Sequence, residues 1–209
     1  EKPWPRFHDP KSARDGLAEL RGEATGEAAE LLGEALELAE TLADRLTDED
    51  YRALPQTIVQ GDYHPANLKF REGRVVGVFD WDWASRQPRT VDVADGLLFF
   101  CGVRDTPLVA GDIWSLTAAF TIDHARLGSF LEGYEGALPL TADERGSLPD
   151  LMRCRWLFCR VDAAIRKVAP RRRVEFVTRG LRRPLDGIDA FDAKLNRLSS
   201  IKRDTGGDE

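Results

Sequence analysis

No apolar run in this 209-residue sequence approaches the roughly 18 residues that a membrane-spanning helix needs. The opening residues, Glu1-Lys2-Pro3-Trp4-Pro5, have neither a basic nor an apolar signal-peptide region. A cytoplasmic protein with no membrane partner is therefore expected. Only three cysteines occur, too few for a disulfide framework, which fits a reducing compartment. The three histidines, His8, His64 and His124, stand far apart, which argues against a His-rich zinc site. Positive charge is not in excess: the net charge is −6, so no nucleic-acid partner is expected. No GxGxxG or GxxxxGK segment occurs anywhere.

What is present is an ordinary globular composition, 42% hydrophobic and 32% charged, long enough to bury a core. Residues 1–10, EKPWPRFHDP, read as an extended arm. Leu31, Ala35, Leu38, Leu42 and Leu46 recur at helical spacing and predict a core-facing helix over about 27–46. Thr47 followed by Asp48-Glu49-Asp50 predicts a capped short helix ending near Leu54. Thr57-Ile58-Val59-Gln60 reads as a short strand. Leu68–Phe70 and Val75–Phe79 read as a hairpin turning at Arg71–Arg74. Residues 80–90 read as a loop, and helices are expected over about 91–101, 112–135, 141–168 and 174–198. Residues 202–209 read as a polar tail. The fold class is mainly α with a small β-hairpin insert (α+β), in one unit.

The densest chemistry lies in Val59-Gln60-Gly61-Asp62-Tyr63-His64-Pro65-Ala66-Asn67, with Phe79-Asp80-Trp81-Asp82 following the hairpin. A hairpin returns to where it began, so Asn67 and Asp80 flank one end of it. An amide and a carboxylate there suit Mg²⁺, a hard ion that keeps waters and leans on substrate phosphates. A separate acid, Asp62, is then free to accept the proton of a substrate hydroxyl. That division of labour belongs to kinase-type phosphoryl transfer.

These residues carry a resemblance. Gly61-Asp62-x-His64-Pro65-x-Asn67, the hairpin, Asp80-Trp81 and the later Asp92-Val93-Ala94 resemble the aminoglycoside phosphotransferase / choline kinase-like superfamily, with a homoserine-kinase-like flavour. The likeness covers about residues 57–100. It implies a protein-kinase-like C-terminal catalytic lobe over residues 1–201, with Asp62 as catalytic base and Asn67 and Asp80 as Mg²⁺ ligands. It also implies that His64 and Gln60 support the loop and that Asp92 anchors it. Gln60 stands where the family usually has His; Gln also donates and accepts, so a modest effect is expected. Asp82 has two readings: a carboxylate supporting the metal site from behind, or one facing an acceptor amine. ATP would be the co-substrate and a small molecule the acceptor: an amino alcohol, an aminoglycoside or a sugar-like alcohol.

The glycine-rich loop and strand lysine that clamp ATP in such kinases are not seen before residue 60. The resemblance thus implies a catalytic lobe whose nucleotide-clamping lobe is supplied by a longer chain or by another chain, and little phosphotransfer by these residues alone. Two alternatives stand beside it. One is a non-enzymatic ligand-binding or interaction module derived from such a lobe. The other is a metallophosphoesterase, which Gly61-Asp62-x-His64 also matches; it needs further histidines and a Gly-Asn-His segment that this sequence lacks. The basic residues between Arg153 and Arg173 read as a solvated helix face, with a phosphate-binding role as the other reading. Cys101, Cys154 and Cys159 read as small buried hydrophobes.

Overall fold

Asp9 opens the first helix of the computed structural model, which describes residues 8–109 and 111–204. Its carboxylate accepts from Lys11 N at 3.1 Å, and Pro10 occupies the first turn, where no amide is missed. This helix, α1 (Pro10–Glu23), is followed by α2 (Gly26–Arg45) and α3 (Asp48–Ala53). The buried stripe of α2 is Leu32, Ala35, Ala39 and Leu42, continued by Leu46. Leu31 and Leu38 are only half-buried. The stripe is rotated from the expected one because α2 packs against α1 and the long helix α6 (Ala142–Lys167) together. Thr47 caps α3 by accepting from Asp50 N. Of the expected arm, residues 1–7 lie outside the described residues, and His8 is fully buried.

Among the described residues, three two-stranded antiparallel sheets interrupt the helices. β1 (Gln56–Val59) pairs with β4 (Ser85–Pro88), Val59 opposite Ser85. The stretch expected as a loop over 80–90 thus contains a strand. Ser-Arg-Gln-Pro has no β-branched residue to announce it; tertiary contacts make it one, among them the Tyr51 hydroxyl donating to Gln87 Oε1 at 2.6 Å. β2 (Leu68–Arg71) and β3 (Arg74–Val78) form the expected hairpin. Its two-residue turn holds Glu72 and Gly73 at φ 51° and 74°, the primed geometry that matches strand twist.

Downstream of α4 (Thr90–Phe100), the single helix expected over 112–135 is absent. Its place is taken by a 3₁₀ turn at Ile113–Thr117, β6 (Phe120–Ile122) and α5 (His124–Ala137). β6 pairs with β5 (Gly102–Arg104), and Asp123 caps α5 through the amides of Ala125 and Arg126. α6 starts on a full capping box, Thr141 with Glu144. The helix expected over 174–198 is split into α7 (Arg173–Thr178) and α8 (Arg182–Asp204) around Gly180, at φ 67°. Residues 202–204 continue α8, and 205–209 lie outside the described residues.

The core gathers Leu17 and Leu20 of α1, Leu32 and Leu42 of α2, Leu97 and Leu98 of α4, and Leu148, Leu151 and Trp156 of α6. Each such side chain contributes about 1.5–3 kcal/mol when fully buried. α6 touches α1, α2, α4, α7 and α8. The basic run on it is therefore no solvated face at its start: Arg153, Arg155 and Arg160 are buried.

Candidate active site

Asp92, in the first turn of α4, holds the loop that follows β1. Its two carboxylate oxygens accept from Gln60 N at 2.7 Å and Gly61 N at 2.9 Å. Burial pushes the Asp92 carboxyl up, and the nearby Asp95 adds to this, while the two amides work against it. Gly61 sits at φ 86°, and a Cβ there would lie 2.5 Å from the carbonyl oxygen of Trp83. Glycine is required both by the backbone and by the close approach.

Gln60 is buried and uses both ends of its amide. Nε2 donates to the carbonyls of Phe79 at 3.1 Å and Asp80 at 2.6 Å, and Oε1 accepts from Asp62 N at 2.9 Å. One side chain thereby ties the Asp62 loop to the end of the hairpin. Asn67 closes the same junction. Its Nδ2 donates to Asp62 O at 3.0 Å, and its backbone carbonyl accepts from Phe79 N at 2.8 Å. Asp80 adopts φ 55° and is exposed; among the described residues its carboxylate takes no partner. Asp82 is exposed in the turn that Ala84 N closes on Trp81 O, away from the pocket beside Asp62.

His64 accepts from Ala66 N through Nδ1 at 3.3 Å, so its ring proton belongs on Nε2. That nitrogen lies 3.3 Å from Asp62 Oδ2. The other oxygen of Asp62 accepts from the guanidinium of Arg155. Burial raises the Asp62 pKa, but the His64 hydrogen bond and the Arg155 charge outweigh it and hold the carboxyl below its ordinary range. Asp62 is ionised at neutral pH, with both oxygens oriented.

Sequence reasoning missed the support behind Arg155. Its Nε lies 3.2 Å from Asp95 Oδ1, which also accepts from His8 Nε2 at 3.0 Å. His8 and Asp95 are completely buried. One signal was available: Asp92 and Asp95 stand three apart, on one face of a helix. Arg155 itself carries no such signal, since it differs from the exposed Arg166 and Lys167 of the same basic run only by its place on α6.

Asp62 and Arg155 line a pocket of about 310 Å³, together with His64, Phe99, Arg104 and Arg160. This is room for a small molecule. For a divalent cation, the hard oxygen donors to hand are Asn67 Oδ1 and the Asp80 carboxylate, which flank the β2–β3 hairpin and do not line this pocket. With the Asn67 amide nitrogen committed to Asp62 O, its oxygen is the end left for a ligand. Two oxygens leave the remaining positions to waters and phosphate, the habit of Mg²⁺. Among the described residues, no three His, Cys, Asp or Glu side chains converge into a metal cluster. No described helix is long and apolar enough to cross a membrane.

Residues 3–145 match the phosphotransferase enzyme family. The chain is similar to the homoserine kinase of Phenylobacterium zucineum, 33% identical over 114 residues, covering 54% of this chain and 31% of that protein. It is also similar to the homoserine kinase of Neisseria meningitidis serogroup B, 30% identical over 110 residues, 53% of this chain and 32% of that protein. The homoserine kinase of Beijerinckia indica is 29% identical over 119 residues, 56% of this chain and 33% of that protein. The matched segment thus spans about a third of each relative's length. With more than half of its residues within the family match, and a mainly helical fold that carries Asp62, Asn67 and Asp80 around one hairpin, the chain belongs to the phosphotransferase enzyme family.

Proposed function

We propose that this chain carries the acceptor side of an ATP- and Mg²⁺-dependent phosphotransferase acting on the hydroxyl of a small molecule. One observation carries the reading. The Asp62 carboxylate is held by His64 and Arg155 at the wall of a small pocket, in a loop hung on Asp92.

In this reading Asp62 accepts a hydrogen bond from the acceptor hydroxyl and aims its oxygen. With a depressed pKa it is a weak base. That suits a loose phosphoryl-transfer transition state, in which positioning matters more than early proton removal. His64 and Arg155 fix the carboxylate, Gln60 and Asn67 fix the loop, and Asp92 anchors its backbone. Asn67 and Asp80 would hold Mg²⁺, which when bound neutralises charge on the phosphates.

The nucleotide-clamping part comes, in this reading, from elsewhere in a longer chain or from a second chain. The exposed Ile58, Phe70, Val75, Val76, Phe79 and Trp81 support this. They lie on β1, on the hairpin and just beyond it, close to Asn67 and Asp80, and present apolar surface for such a part to cover. The 209 residues by themselves then transfer little or no phosphate.

The test is Asp62→Ala in the protein joined to its nucleotide-clamping part, assayed by ADP release with a panel of alcohols. The rate should fall by about 10²–10⁴-fold with nucleotide affinity nearly unchanged. An unchanged rate overturns the assignment, and no turnover by the intact protein favours a binding module instead.

A further inference from the structure

Which lining groups are open to a ligand decides what the pocket beside Asp62 can hold. Arg155 and Arg160 are only 4% and 3% exposed. Arg155 is held between Asp62 and Asp95, and Arg160 Nη1 donates to the carbonyls of Phe176 at 3.1 Å and Arg179 at 2.7 Å. Little of either guanidinium is left for a ligand to touch. The open lining is apolar. Leu108, after β5, is 53% exposed, and Leu116, in the 3₁₀ turn, is 44% exposed. Phe99 of α4 and Ala163 of α6 are half-buried. Apolar side chains scattered singly over a surface need no explanation, but these converge on one concavity whose wall holds the candidate base.

The apolar wall begins at the carboxylate itself. The rings of Phe99 and His64 meet edge to face with centroids 5.9 Å apart, and the Arg155 guanidinium lies 5.4 Å over the Phe99 ring. His64 and Arg155 are the two groups that hold Asp62. An alcohol whose hydroxyl reaches that carboxylate therefore brings its carbon body alongside Phe99.

Charge and polarity narrow the choice of body. Asp62 is the one carboxylate among the described lining residues, and both its oxygens are already engaged. An ammonium would find no second acid there and would meet Arg104. A polyol would bury hydroxyls against Phe99 and the leucines with nothing to bond them. Arg104 tolerates an apolar neighbour, since a guanidinium is weakly hydrated and stacks on rings; it already lies 4.8 Å over the Phe120 ring. Size follows from the volume of about 310 Å³: at roughly 30 Å³ for each water-sized group, there is room for about ten non-hydrogen atoms.

We propose that the pocket receives an alcohol with an uncharged, apolar body the size of an aryl-alkyl group. Its hydroxyl meets Asp62, and its body packs on Phe99, Leu108, Leu116 and Ala163. This names an acceptor class and rests on the phosphotransferase reading for the fate of the hydroxyl; the binding preference stands on the pocket walls.

An NMR titration of the chain without nucleotide, following backbone amides, tests it. The probes are 3-phenyl-1-propanol, 3-amino-1-propanol, which carries an ammonium in place of the ring, and xylitol, a polyol with as many non-hydrogen atoms as the first. The aryl alcohol should bind about 10-fold tighter or more than either of the others, with its largest shifts at Phe99, Leu116 and Ala163. Leu108→Ser and Leu116→Ser change exposed positions that the core does not use, and each should weaken the aryl alcohol by about 3-fold or more. Xylitol or the amino alcohol binding as tightly as the aryl alcohol overturns the proposal. So does binding of none of the three, a set of shifts centred away from the pocket, or full aryl-alcohol affinity in either leucine variant. ADP release by the complete protein separates this from the reading beneath it. Preferred binding of the aryl alcohol without transfer refutes the phosphotransferase and keeps the pocket; transfer to xylitol as efficiently as to the aryl alcohol refutes the pocket and keeps the phosphotransferase.

Discussion

Arg155 joins the candidate base to the buried interior, which makes Arg155→Met the most informative perturbation. Methionine keeps the apolar stem that packs within α6 but removes the charge between Asp62 and Asp95. Asp95, fully buried, is then left with His8 as its partner among the described residues. Removing one side of a buried ion pair costs about 3–5 kcal/mol, because the remaining charge keeps its desolvation penalty. For a chain of this size each kcal/mol lowers Tm by about 2–4 °C, so a fall of roughly 6–20 °C is expected. Asp95→Asn in the same chain drops the stranded charge while keeping an oxygen for His8. The double variant should recover at least about 1 kcal/mol relative to the sum of the singles. Urea unfolding and scanning calorimetry at neutral pH measure all four corners of this cycle. A single-variant loss below about 1 kcal/mol, or corners additive within about 0.5 kcal/mol, refutes the buried network.

Three further outcomes are expected. Gly61→Ala should destabilise by about 1–3 kcal/mol or more, since alanine at φ 86° is strained and its Cβ would meet the Trp83 carbonyl; an unchanged Tm contradicts this. Asp62 has a folded-state pKa below its unfolded value, so its ionised form stabilises the fold above about pH 4 and that contribution fades as pH falls through the folded pKa. The stability gap between the wild type and Asp62→Asn should therefore narrow from pH 6 to pH 3, and a gap independent of pH counts against the His64 and Arg155 contacts. Glu144 is fully buried and takes Arg89 through two bonds, at 2.5 and 2.7 Å, besides capping α6. Glu144→Gln should cost about 1–3 kcal/mol in chemical denaturation; a neutral result would mean that the pair contributes nothing net.

Local chemistry wrote much of this protein into the sequence. Thr47 before three acids, the Leu and Ala spacing after Gly26, and the hairpin turn at Glu72-Gly73 each act within a few residues. They specify α3, α2 and the β2–β3 pair with little outside help. The Gly61–Asn67 loop and Asp80 were equally legible, because a loop, a hairpin and its far end are tied by chain geometry. β4 and β6 were not legible. Ser85–Pro88 and Phe120–Ile122 become strands only because β1 and β5 lie alongside to take their hydrogen bonds. The buried arginines were hidden for the same kind of reason. Arg155 and Arg160 belong to a basic run whose charge reads as solvent-facing, and only the packing of α4, α7 and α8 around α6 decides which guanidiniums lose their water. The sequence by itself thus determined the loop that holds Asp62, His64 and Asn67. Tertiary structure decided what surrounds it, because burial depends on contacts between residues as far apart as His8, Asp62, Asp95 and Arg155, and no local pattern encodes which of them meet.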